Sequence, residues 1–387
     1  MKQNPLLELN RLGQSVWMDF ISRGTIDSGK LLRFVEEDGL RGVTSNPTIF
    51  EKAMAHSPEY ESPMRTLALA GKSADEIYQT LSVEDIQLAA DVFRPQFERL
   101  DQRDGFVSLE VSPHLADDTA GSVAEARRLW AAVNRPNAMI KIPGTRAGLP
   151  AIEQLVSEGI NVNVTLLFGL ERYEDVARAY IDGLKSRASR GQPLRVASVA
   201  SFFLSRIDVL IDAELDAREK AGKLERRLAE RLRGQVAIAS ARVAYQMYKR
   251  LFGTKEFAAL EAKHARPQRL LWASTSTKNP RYSDVKYVEA LIGEHTINTV
   301  PLETFEAYRD HGDPEPRLEQ HVDEAHAVLA ALPDAGIDLR AVTDRLEREA
   351  VEKFVEPYDR LLKLIGERRS EALHGREDAA GVPRGAE

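Results

Sequence analysis

The sequence has no cysteine. That removes disulfides, thiolate metal sites, iron–sulfur clusters and a cysteine nucleophile in one step. Histidine is sparse, with eight in 387 residues. None forms an HExxH or HxH pattern. The nearest pair, His321 and His326, is five apart on a polar stretch and shares no helical face. Neither a metal nor a cofactor is expected. Long apolar runs are missing too. The opening MKQNPLLELNRLGQ lacks the apolar centre of a secretory signal, and no segment suits a bilayer, so no membrane partner and a cytoplasmic location are expected. A basic excess is also lacking. The net charge of -7 argues against phosphate-backbone binding and hence against a nucleic-acid partner. The remaining composition, 43% hydrophobic and 29% charged, is that of a globular chain.

Short apolar runs recur along the chain. They are VWMDF (16–20), GVTSN (42–46), GFVSLEV (105–111), AMIKIP (138–143), NVNVTLLF (161–168), RVASVASFF (195–203), RLLWAS (269–274) and INTVP (297–301). Amphipathic helical stretches such as SVAEARRLWAAV and RYEDVARAYIDGL separate them. Strand and helix alternating eight times predict an α/β fold of the (β/α)8 barrel type. A doubly wound open sheet is the competitor, but no GxGxxG follows an early strand, so nothing points to a dinucleotide. Residues 47–104 and 205–268 exceed a plain barrel and predict helical insertions. Within the second, DAREKAGKLERRLAERLRGQVA interleaves acids with bases, which predicts a solvated helix pair. One domain is expected over 1–370, followed by a flexible polar tail over 371–387.

The strands carry polar residues on one face only. In AMIKIP, Met139 and Lys141 oppose Ile140 and Ile142; in GFVSLEV, Ser108 and Glu110 oppose Val107 and Leu109. Asn161, Asn163 and Thr165 alternate with Val162, Val164 and Leu166, while Thr44 and Asn46 oppose Val43, and Asp19 opposes Met18 and Phe20. Asp19, Asn46, Glu110, Lys141, Asn163 and Thr165 thus gather toward the C-terminal ends of their strands, where barrel enzymes carry catalytic groups. The plain alternative is a set of satisfied interior hydrogen bonds. That is a costly way to build a core, because each buried polar group needs a partner.

A lysine inside a barrel loses hydration, which disfavours the ammonium form. The neutral amine attacks carbonyls and gives a Schiff base, an electron sink that permits cleavage of a neighbouring carbon–carbon bond. A carboxylate such as Asp19 can move the hydroxyl proton, and Glu110 with Thr165 can hold a water. Asn46, Asn163 and Ser201 suit a polyol. Arg206 in SFFLSRID, and Ser276 and Lys278 in WASTSTKN, suit a phosphate on late barrel loops. These residues read as a Schiff-base aldolase acting on sugar phosphates.

GVTSNPTIF, SLEVSP, KIPGT and NVNVTLLF, in this order, resemble the transaldolase family, and WASTSTKNP with YSDVKYVEALIG resembles its longer bacterial members. The likeness runs from about residue 10 to about residue 365. It implies a class I aldolase barrel and transfer of a dihydroxyacetone unit from a ketose phosphate such as sedoheptulose 7-phosphate to glyceraldehyde 3-phosphate. That reaction belongs to the non-oxidative pentose phosphate pathway. Carried over by motif, Lys141 is the Schiff-base residue and Asp19 the acid/base on the C4 hydroxyl. Glu110 and Thr165 hold the catalytic water. Asn46, Asn163 and Ser201 contact the dihydroxyacetone part, with Thr44 beside Asn46. Phe203 lies near the imine, and Arg206, Ser276 and Lys278 bind phosphate. Two positions depart from shorter relatives, which have arginine where this chain has Lys278 and commonly proline where it has Phe202. Lysine keeps the charge but loses the bidentate fork. An acceptor-independent sugar-phosphate aldolase and a non-catalytic sugar-phosphate-binding barrel remain as alternatives, and homo-oligomerisation is left open.

Overall fold

Eight parallel strands hydrogen-bond in chain order, and the last closes onto the first. They are β1 (Gln14–Met18), β2 (Gly42–Thr44), β3 (Phe106–Glu110), β4 (Ala138–Pro143), β5 (Val162–Leu167), β6 (Ser198–Phe203), β7 (Arg269–Ala273) and β8 (Thr296–Val300). The structure is a computed structural model and describes residues 4–379. Each expected strand is present, and the architecture is the (β/α)8 barrel with additional helices. Closure rests on five registered pairs between β1 and β8, from Gln14 with Thr296 to Met18 with Val300.

Two strands, β1 and β2, end two residues before their apolar runs do, and both differences serve the mouth of the barrel. β1 ends at Met18, so Asp19 stands just past it, its N–H held by the Val300 carbonyl at 2.8 Å. β2 ends at Thr44 because Asn46 leaves the ladder to cap the helix Pro47–His56. The Asn46 side chain accepts from the Ile49 N–H at 3.0 Å, and Pro47 supplies a first helical residue with no N–H to satisfy.

The opposite end of the barrel is plugged. Trp17 is fully buried and donates its indole N–H to Asp104 at 2.8 Å, while the Ser15 hydroxyl donates to the same carboxylate and Arg269 lies 3.3 Å from it. Gly42 faces this indole. A Cβ there would sit 2.5 Å from the Trp17 ring and 2.8 Å from the Phe106 carbonyl, so no side chain fits.

The insertions are helical as expected. Pro47–His56, Glu61–Leu69 and Ala74–Arg99 lie between β2 and β3; Ser205–Lys220, Arg226–Leu232, Val236–Phe252 and Lys255–Glu261 lie between β6 and β7. The interleaved charges pair across this second insertion, with Arg233 bonded to Asp216 and Glu219, yet Ala229 and Leu232 are fully buried, so the charged stretch is solvated on one side only. The C-terminal helix runs from Leu339 to Ala379. The first nine residues expected in the tail, 371–379, continue that helix, and 380–387 lie outside the described residues. Arg360 pairs with Glu51 at 2.6 Å, and Arg368 donates to the carbonyls of Met54 and Ala55 at 3.1 and 2.9 Å, which ties this helix to Pro47–His56. No helix among the described residues is long and apolar enough to cross a membrane.

Gly42→Ala should lower stability by about 1–3 kcal/mol, the usual cost of overpacking a filled interior. Chemical denaturation measures it. An unchanged midpoint would show that Trp17 yields without cost.

Candidate active site

Strand pairing sets the centre of the site. Glu110 on β3 is in register with Lys141 on β4, which is in register with Asn163 on β5. Lys141 is only 4% exposed. Its Nζ donates to Glu110 Oε2 at 3.1 Å and to the Ser45 carbonyl at 2.8 Å, and the Phe354 ring centre is 5.9 Å away. The Ser45 hydroxyl in turn donates to the Ser108 carbonyl at 2.7 Å, locking the turn that offers this acceptor. Burial pushes the Glu110 carboxyl above its usual range. The Lys141 charge and hydrogen bond pull it back, and Asp19 adds to the rise.

Asp19 faces the same space from β1. Thr44 donates to its Oδ1 at 2.7 Å, and the Thr44 and Thr299 hydroxyls lie 2.9 Å apart. Burial raises the Asp19 carboxyl, against the pull of Lys141, the Thr44 hydrogen bond and the Lys278 charge. A carboxyl held above its ordinary range is better matched to proton transfer near neutral pH.

A cavity of about 480 Å³ opens at the C-terminal ends of the strands. Every candidate residue except Glu110 and Asn163 lines it: Asp19, Thr44, Asn46, Lys141, Thr165, Ser201, Phe203, Arg206, Ser276 and Lys278. Glu110 contacts the lysine but does not line the cavity. Asn163 is fully buried, donates to Ser108 Oγ at 3.0 Å and accepts from the Ser201 hydroxyl at 2.7 Å, so in this structure it orients Ser201. Phe203 packs on Phe168 with ring centres 5.3 Å apart. Lys278 donates to the Ser276 hydroxyl at 2.6 Å.

Two lining residues carry buried polar atoms without a partner among the described residues, Thr165 Oγ1 and the Arg206 guanidinium nitrogen Nη1. Such atoms cost stability unless something completes them, and a polar ligand in the cavity is the obvious candidate. Burial also lowers the Arg206 pKa, with Glu349 opposing. Backbone strain sits beside both regions. The β5–β6 ladder shifts register between Val164 and Leu167 with Leu166 at φ +62°, and Ser274, just past β7, has φ +54°. The alternation expected through Leu166 is therefore broken by a bulge immediately after Thr165.

Lys52, Thr299, Glu303 and Phe354 also line the cavity. Thr299 was within reach of strand alternation, since it follows Ile297 by two on β8. Lys52 and Phe354 come from helices that cross the mouth, and no local pattern marks them.

A parallel barrel with a buried lysine, flanking carboxylates and hydroxyls at its C-terminal mouth defines a barrel enzyme. The sequence profile described as transaldolase/fructose-6-phosphate aldolase matches residues 16–365, and the chain belongs to that family. Its relatives are similar over nearly their whole length. A transaldolase of Trichodesmium erythraeum is 47% identical, with 95% of this chain and 98% of the relative covered. One of Thiobacillus denitrificans is 49% identical, with 93% and 99% covered, and one of Saccharopolyspora erythraea is 45% identical, with 96% and 100% covered. The protein is thus an enzyme with transaldolase function.

The raised Asp19 pKa has a consequence for stability. The folded chain holds this proton more tightly than the unfolded chain does, so Asp19 is least unfavourable below the ordinary carboxylate range and costs stability as pH rises through that range toward the folded value. Asp19→Asn keeps an acceptor for Thr44 and removes that cost. The variant should unfold at a higher denaturant concentration than the parent at neutral pH, and the gap should shrink as the pH falls toward 4. A variant less stable than the parent at neutral pH would show that Lys141 and Thr44 outweigh desolvation.

Proposed function

We propose that Lys141 carries the substrate as a Schiff base and that the cavity passes a dihydroxyacetone unit between sugar phosphates. The observation that carries this reading is the lysine amine, nearly sealed from water and held by Glu110 beside a polar cavity. The amine attacks the C2 carbonyl of a ketose phosphate and water leaves, giving the imine. Asp19 takes the proton of the C4 hydroxyl, the C3–C4 bond breaks, and its electron pair enters the protonated imine, which becomes a neutral enamine. The aldehyde half departs. An acceptor aldehyde is then attacked by the enamine carbon, Asp19 returns the proton, and water releases the new ketose from Lys141.

Other residues suit the accompanying tasks. Thr165, with its unpartnered hydroxyl, and Glu110, in contact with the amine, suit the water that forms and hydrolyses the imine. Asn46, Thr44 and Ser201 offer groups to the sugar hydroxyls, the last oriented by Asn163. Arg206, Ser276 and Lys278 suit the phosphate, since charge-assisted hydrogen bonds are the strong ones. The donor is sedoheptulose 7-phosphate or fructose 6-phosphate and the acceptor glyceraldehyde 3-phosphate or erythrose 4-phosphate. On this reading the enzyme serves the non-oxidative pentose phosphate pathway, acts in the cytoplasm on diffusible substrates, and works as one domain over 1–370.

Borohydride reduction in the presence of fructose 6-phosphate should add one dihydroxyacetone-derived mass to the peptide holding IKIPGT. Lys141→Ala should abolish both the adduct and turnover, and aldehyde acceptor should be required for sustained donor consumption. An adduct on another lysine, with Lys141→Ala still active, would sink the assignment. Donor consumption independent of acceptor would favour a simple aldolase.

A further inference from the structure

The residues read as the phosphate site come from two separate segments. Arg206 lies in the first turn of the helix Ser205–Lys220, whereas Ser276 and Lys278 lie in the irregular stretch that follows β7. Their base is stitched together: the Ser205 N–H donates to the Ser274 carbonyl at 3.0 Å, and the two hydroxyls of Ser205 and Ser274 are 2.9 Å apart. Just beyond Ser274 the buried Thr275 hydroxyl donates to the Thr299 carbonyl of β8 at 3.1 Å, and the more exposed part of the stretch that carries Ser276 and Lys278 follows.

A further tie holds the far end of this stretch. Asp208 and Asp212, one turn apart on the helix that carries Arg206, are 1% and 7% exposed. Asp212 accepts from the Tyr282 hydroxyl at 2.7 Å and from the Gly234 N–H at 2.8 Å. Asp208 accepts from the Tyr287 hydroxyl at 2.7 Å and from the Ala237 N–H at 2.8 Å, with Lys286 at 3.5 Å. Lys286 also donates to the Gly234 carbonyl at 2.5 Å and stands 3.8 Å from the Tyr282 ring centre. Gly234 makes this meeting possible. It has φ +63°, and a Cβ would lie 2.6 Å from both Lys286 Nζ and the Tyr282 ring. The motif YSDVKYVEALIG thus supplies the far end of the loop, and the second insertion supplies its anchor.

Two buried carboxylates, only one of them beside a lysine, are an expensive way to hold a helix to a loop. Apolar packing of similar volume commonly gives equal or better stability. What directional hydrogen bonds add is a fixed distance. Residues 206 and 208 point to nearly opposite sides of their helix, so the helix can present Arg206 to the cavity while Asp208 and Asp212 grip the loop behind it. We infer that the junction of Asp208, Asp212, Tyr282, Lys286 and Tyr287 is a positioning device that sets Ser276 and Lys278 against Arg206, and so fixes the affinity for the substrate's phosphate. This rests on reading those three residues as the phosphate site.

The test uses the full chain with Tyr282→Phe, Lys286→Met and Arg206→Ala. Tyr282 is partly exposed and Phe keeps its ring, so this variant should fold. Three quantities are measured: KM and kcat for fructose 6-phosphate, inhibition by inorganic phosphate, and the rate of borohydride inactivation with unphosphorylated dihydroxyacetone. Tyr282→Phe should raise KM and the phosphate inhibition constant together by about tenfold, the scale expected for a modest misplacement of binding groups. It should leave kcat and dihydroxyacetone-dependent inactivation unchanged. Lys286→Met should shift the same two constants in the same direction. If Arg206→Ala weakens phosphate inhibition but neither junction variant does, the junction is only a fold anchor and the inference is overturned. A fall in the unfolding midpoint with unchanged constants says the same. If Arg206→Ala itself leaves phosphate inhibition intact, the phosphate-site reading fails instead.

Discussion

A lysine and a glutamate lie side by side at the ends of β3 and β4, 3.1 Å apart and nearly sealed from water. Much of what surrounds the mouth of the barrel follows from keeping that pair in place. Burying two charges is costly, and their attraction repays it only when the remaining hydrogen-bonding capacity is met. The Ser45 carbonyl meets part of it for Lys141, and it is available because β2 stops at Thr44 and the chain turns into a helix capped by Asn46. The short second strand is therefore part of the active site's construction.

The same economy governs the rest of the cavity. Asp19 stands one residue past the end of β1 and accepts from Thr44, which leans on Thr299 of β8. Asn163 is spent on Ser108 and Ser201. Thr165 Oγ1 and one Arg206 nitrogen are left unpaired. The polar groups thus divide into those that brace others and those that, among the described residues, have no partner. The C-terminal helix closes the arrangement by bringing Phe354 over the lysine.

Most of this was legible in the sequence because barrel strands impose a period of two. Lys141 among isoleucines and Glu110 between leucine and valine mark an inward polar face, and the strand count marks the barrel. The limits of that logic are equally physical. Alternation says which face a residue occupies but not how deep it lies, so it does not tell that Asn163 is fully buried, bonded to Ser108 and Ser201 and off the cavity wall. It also assumes an unbroken ladder, which the bulge at Leu166 breaks. Phe354 and Lys52 were invisible because they reach the mouth through helix packing across distant parts of the chain. The junction around Asp208 and Asp212 was invisible for the same reason, since its bonded acids and tyrosines lie 70 and 79 residues apart in the chain.

If the buried pair is retained for chemistry, each partner should be harmful without the other and both should be dispensable for folding. A double-mutant cycle of Glu110→Gln and Lys141→Met, followed by denaturant unfolding, measures this directly. Lys141→Met alone should cost about 3–5 kcal/mol by leaving a buried carboxylate unpaired, and Glu110→Gln alone should also destabilise. The double variant should recover most of the parent's stability while remaining inactive. Losses that simply add in the double variant would mean that Lys141 and Glu110 serve the fold independently, and would contradict a pair held in the barrel for catalysis.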